Sequence, residues 1–103
     1  SFSSAKKLSV ILALLSKYKV QILHFRNSVF LDTTVAMEIA NLINFADQNG
    51  NEVIISGLPI KMKKFLNNLK ILRNHNTTEM SSLLEAISEG KKICAEKERG
   101  DEN

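Results

Sequence analysis

Asp32, Thr33 and Thr34 are the residues whose types and spacing come nearest to a chemistry in this chain. They follow the apolar run Val29-Phe30-Leu31, and a helical pattern begins directly after them. An acid and two hydroxyls at the mouth of a helix can serve in two ways. As structure, Asp32 or Thr33 accepts from backbone amides two or three residues on and caps the helix. As function, a threonine hydroxyl there can take a phosphoryl group, because free amides and the positive pole of the helix dipole stabilise the new dianion. Asp32 would then repel the phosphate, so that modification could eject a partner. Capping is the plainer reading of the two.

Other chemistry is sparse. The histidines are His24, in a strand-like stretch where it reads as a satisfied half-buried imidazole, and His75, in the polar loop RNHNTT where it reads as solvated. Neither has partners at metal-ligand spacing. Asp32 lacks a second carboxylate for acid–base work. The four glycines are scattered, and GLP at 57–59 is not a phosphate loop. Cys94 is the one cysteine, so no internal disulfide forms and a reducing compartment fits. It lies in a polar C-terminal tract and reads as an incidental thiol.

Charge is concentrated rather than spread. Between Pro59 and Thr78 stand Lys61, Lys63, Lys64, Lys70 and Arg73, with no acid among them. The chain as a whole is only +3, so the remainder is net negative. Most simply these cations form a solvated helix face, alternating with core Met62, Phe65 and Leu66. The functional reading is contact with an anionic surface: lipid headgroups of the inner leaflet or an acidic partner. Nucleic acid is disfavoured, since aromatics are 6% of residues and no reader motif is present.

These groups need elements to hold them. With 103 residues, 44% of them apolar, the chain suffices for one small domain with a real core. The longest apolar run, Val10–Leu15, is far short of the roughly 20 residues of a membrane span, and no signal-peptide pattern opens the sequence. Residues 4–17 place Leu8, Ile11, Leu12 and Leu15 on one face and predict a helix. VQILHF at 20–25 predicts a strand covered on both faces, with Val20 and Ile22 on one side and Leu23 and Phe25 on the other. A loop follows at 26–28.

Val35, Ile39, Leu42, Ile43 and Ala46 make the clearest helical stripe, over 33–48, stopped by Gly50 as a left-handed cap. EVIIS at 52–56 predicts a second buried strand. Pro59 opens a helix reaching about Leu69, with Met62, Phe65, Leu66 and Leu69 on its inner face. Residues 70–72 form a short strand or extend that helix. Thr77 or Thr78 caps a last helix carrying Met80, Leu83, Leu84 and Ile87, with Gly90 as its stop. Strands alternating with helices predict parallel pairing. The domain is expected over 1–90, followed by a charged, frayed tail over 91–103.

In combination the segments "VQILHFRNSVFLDTTVAMEIANLI", "GNEVIISGLPIKMKKFLNNLKIL" and "TTEMSSLLEAI" resemble the STAS domain of anti-sigma factor antagonists and SulP-type anion transporters. The resemblance covers about residues 1–90. It runs through a strand, an Asp-hydroxyl-hydroxyl turn and a helix, then a strand, a Ser-Gly-Leu turn and an amphipathic helix. "SFSSAKKL" resembles the SulP version. Where the family usually has Gly after the second hydroxyl, this chain has Val35, whose Cβ narrows the approach of a partner backbone.

The resemblance implies an α/β fold: a small STAS-like sandwich with a central, mostly parallel sheet covered by about four helices, the family's first strands being absent from this chain. It implies no enzyme activity, no cofactor and no metal. The implied role is that of a cytoplasmic regulatory domain at the inner face of the plasma membrane. Its partners would be the transmembrane part of the same transporter, another STAS copy or a cytosolic regulatory protein. In the sigma-antagonist branch the phosphoacceptor maps onto Thr33, and the alternative function is a free-standing phospho-switch for a kinase partner. The binding surface is expected at residues 28–34, where helix N-termini and loops meet; anion, nucleotide and acyl-carrier ligands all remain open there.

Overall fold

The computed structural model describes residues 20–25 and 32–101. Three strands and three helices alternate: β1 (Val20–His24), α1 (Thr33–Gln48), β2 (Glu52–Ser56), α2 (Ile60–Asn68), β3 (Thr77–Met80) and α3 (Leu83–Asp101). The strands form one sheet in the order β1-β2-β3, and both pairings are parallel. Val20 lies opposite Glu52 and His24 opposite Ser56, as the alternation of strands and helices predicts.

The pleat sorts the strand side chains into two cores. Leu23 of β1, Phe25 just beyond it, and Val53 and Ile55 of β2 face α1 and α2, where they meet Val35, Ile39, Ile43, Met62 and Leu66. Val20, Ile22 and Ile54 face α3 and pack on Ala86 and Cys94. Both faces of the sheet are therefore covered, which is why its strands read as continuous apolar runs. Each fully buried Ile, Leu or Val contributes roughly 1.5–3 kcal/mol by leaving water.

Of the α1 stripe, Val35, Ile39, Ile43 and Ala46 are buried as expected, Leu42 is half-buried, and Ala36 joins the buried face of the helix. Its C-terminal turn closes through Asn49, and Gly50 takes φ +73°, the left-handed cap. Three readings of the second half need correction. Residues 71–73 form a single 3-10 turn and no strand. Thr77 and Thr78 lie in β3, not at a helix cap. Ser82 starts α3: its Oγ accepts from the Glu85 amide at 3.2 Å and donates to Glu85 Oε1 at 3.0 Å. This is a Ser side-chain cap in which the Glu85 carboxylate accepts from the capping hydroxyl.

Nor does the last helix stop at Gly90. It continues to Asp101, and Ile93 and Cys94 belong to its packed face. Leu84, assigned to that inner face, is 80% exposed, and Leu69 is 47% exposed. The helix expected over 4–17, the loop at 26–28 and the apolar run 29–31 lie outside the described residues.

Candidate functional site

A 16-residue helix spans about 24 Å. Because α1 delivers the chain to the start of β2, its own first turn stands at the opposite, carboxyl-terminal edge of the sheet. Asp32 is extended (φ −121°, ψ −179°), and its carbonyl accepts the first helical bond, from Ala36 N at 2.9 Å. Its Oδ1 accepts from Val35 N at 2.9 Å. That bond favours the ionised form and holds the carboxyl below its ordinary range. Asp32 is thus the cap that the sequence proposes. Thr33 and Thr34 are both exposed beside it, while Val35 turns fully inward. Ser28, the first residue of the expected surface, lies outside the described residues.

The same edge holds a side-chain pair that the sequence does not connect. His24 Nδ1 and Ser56 Oγ are 3.0 Å apart at matched positions of β1 and β2. The expected half-buried, satisfied His24 is what is found. Ser56 is completely buried, and its carbonyl accepts from Phe25 N at 2.9 Å. A serine with no exposed surface is no nucleophile for an outside substrate, and its hydroxyl ties two strands instead.

Gly57 follows with φ +73°. A Cβ there would stand 2.6 Å from the Phe25 carbonyl oxygen and 2.8 Å from His24 Cε1. The glycine of the Ser-Gly-Leu turn is required by this close approach.

The basic segment is divided by the fold. Lys63 pairs with Glu79 of β3, Nζ to Oε1 at 2.9 Å. Lys61 and Lys64 are exposed on α2. Lys70 and Arg73 lie beyond α2, on the wall of a cavity against α1. The five cations therefore have three different settings: one ion pair, two exposed positions on α2 and a cavity wall.

The loop around His75 is more ordered in its bonding than its composition suggests. His75 itself is exposed, with Nε2 2.8 Å from Asp47 Oδ1. Asn76, which sequence reasoning missed, is buried and donates to the carbonyls of Ile43 (3.2 Å) and Asn51 (3.0 Å). Its Oδ1 accepts from Thr77 Oγ1 at 3.1 Å. A polar residue before an unread strand carries no periodic signal; only the strand itself would have flagged it.

Cys94, read as an incidental thiol in a polar tract, packs in the core rather than in a frayed tail. It is buried among the α3-side core residues, and burial pushes its pKa up, away from the reactive thiolate. Among the described residues no group of three or more His, Cys, Asp or Glu side chains could hold a metal ion. None of their helices is long and apolar enough to cross a membrane. No family model, no curated protein and no solved structure matches this chain.

Proposed function

We propose that this chain is a non-enzymatic, STAS-type interaction domain that regulates a SulP-type anion transporter from the cytoplasmic face of the membrane. The observation that carries the reading is the first turn of α1: Asp32 is committed to the cap, and Thr33 and Thr34 are left outward at the carboxyl edge of a parallel sheet. Loops and helix N-termini converge at that edge in parallel sheets, which favours it for contacts. The side chains nearby that could move protons, His24 and Ser56, are engaged with each other and serve the fold. Partners would be the transmembrane part of the same protein, a second copy or a cytosolic regulator. Lys61 and Lys64 are free of the core and available to anionic lipid headgroups.

A second reading, a phospho-switch, draws on the same exposed hydroxyls. Thr33 is a helix-terminal acceptor position, where a phosphate would gain amide bonds and Asp32 would repel it. The side chain of Val35 points into the core, so it does not crowd the surface that a partner would approach.

One experiment separates the two. A photo-crosslinking amino acid is placed at Thr34 in the full-length protein in its native membrane. The transporter reading expects crosslinks to the membrane-embedded part or to a second copy. A gene with no membrane-spanning region upstream of Ser1 ends that reading. ATP-dependent labelling of Thr33 by a bound kinase, with release of that kinase by Thr33→Glu, would establish the switch instead.

A further inference from the structure

We infer that the molecule has a second site, for a small phosphate monoester with an apolar body, in the cavity between α1 and the turn that follows α2. The cavity is a cleft open to solvent with a volume of about 350 Å³, within the range of small-molecule sites. Its walls are chemically divided. Leu69 and Ile71 supply apolar surface over the buried Ile43, Lys70 and Arg73 supply two cations, and Asn44 and Asn74 add amide groups. A guanidinium fork beside an ammonium suits a phosphate dianion better than a single carboxylate.

Three observations bear on this pair. Lys63 is already held by Glu79, whereas Lys70 and Arg73 have no acidic partner among the described residues. The carboxylate one turn along α1, Asp47, faces His75 Nε2 at 2.8 Å and Asn74 Nδ2 at 3.1 Å and makes no ion pair with either cation. And Lys70 sits at φ 61°, ψ 22°, the one non-glycine positive φ among the described residues. Glycine adopts that left-handed conformation freely and is the usual residue just past a helix end. A lysine kept there, at a backbone cost, is accounted for when its ammonium is used. The site lies at the amino-terminal edge of the sheet, across the molecule from Thr33, and does not depend on the role assigned to that turn.

The test is a titration of the full chain with phenyl phosphate, followed by amide ¹H–¹⁵N shifts. Saturable shifts are expected at residues 40–44 and 69–74. The double variant Lys70→Gly/Arg73→Gln should weaken binding by about tenfold or more. Its fold is protected, because glycine relaxes the left-handed position. Lys61→Gln/Lys64→Gln should change affinity less than about twofold, since those charges lie outside the cavity. Phenol, lacking the phosphate, should not saturate the site. Vesicles containing phosphatidic acid distinguish the source: competition identifies a lipid headgroup and its absence a soluble ester, and both outcomes retain the site. No saturable shift, or equal weakening by the two double variants, overturns it, the latter by revealing a diffuse basic field.

Discussion

Gly57 and Gly50 share φ +73° but not their surroundings, and the contrast separates backbone strain from steric conflict. At Gly50 nothing lies within 4 Å of an added Cβ, so Gly50→Ala should cost about 1 kcal/mol, the left-handed penalty alone. At Gly57 the Cβ would collide with the Phe25 carbonyl and the His24 ring, and the carbonyl is backbone that cannot step aside. Gly57→Ala should therefore cost roughly 2–4 kcal/mol in urea unfolding. Equal losses at the two positions would show that the β1–β2 edge yields more easily than its geometry implies. Asp32 gives a prediction in pH. Its folded pKa is depressed by the Val35 amide, so its contribution is present above the unfolded value and is lost as pH falls through the folded one. Asp32→Ala should lower the Tm at neutral pH. The gap to the natural protein should close as pH drops from about 4 toward 2. A gap that persists undiminished in acid would deny the carboxylate its role as cap.

At the scale of elements, β3 is the case that sequence patterning could not resolve. TTEM has four residues, none fully buried, with no apolar alternation to mark it. It is a strand because the buried ladder of β2 needs a neighbour and Asn76 supplies a polar anchor. That side chain joins the C-terminal half of α1 to the entry of β2, and the Asn76 backbone carbonyl accepts from Val53 N at 2.8 Å. Asn76→Ala should cost about 2–3 kcal/mol, because buried acceptors lose their donor. Thr78→Ala, exposed on the same strand, should stay within about 0.5 kcal/mol. Similar losses from both would mean that β3 is held by its ladder and not by Asn76. The continuation of α3 was hidden for a different reason. Its inward positions Ala86, Gly90 and Cys94 are four apart and buried, but they are small. A search for large apolar residues passes over such a face, although small residues let a helix lie close to a sheet. The Ser82-Leu83-Leu84-Glu85 cap marks the start of α3 without reference to β3, but the reading of Thr77 or Thr78 as the cap passed over it.

Taken whole, the molecule carries two surfaces on different parts of α1, its first turn and the stretch from Ala40 to Asn44. The Thr33–Thr34 turn stands at one edge of the sheet and the Lys70–Arg73 cavity at the other. Substitutions at one should leave the other unchanged: Thr33→Glu should not alter phenyl phosphate binding, and Lys70→Gly/Arg73→Gln should not alter crosslinking from position 34. A change at both would show that α1 couples the two ends.

What the sequence determined by itself was local and periodic: the buried strands at 20–25 and 52–56, their parallel pairing, the α1 stripe, the Gly50 stop and a cap at Asp32 or Thr33. Each is written in residues a few positions apart, within reach of backbone periodicity and capping. Tertiary structure decided the rest, because it depends on groups brought together from afar. His24 met Ser56 across 32 positions and Asn76 met Ile43 across 33. One run of five cations became an ion pair, two exposed lysines and a cavity wall, according to which neighbour the fold placed beside each.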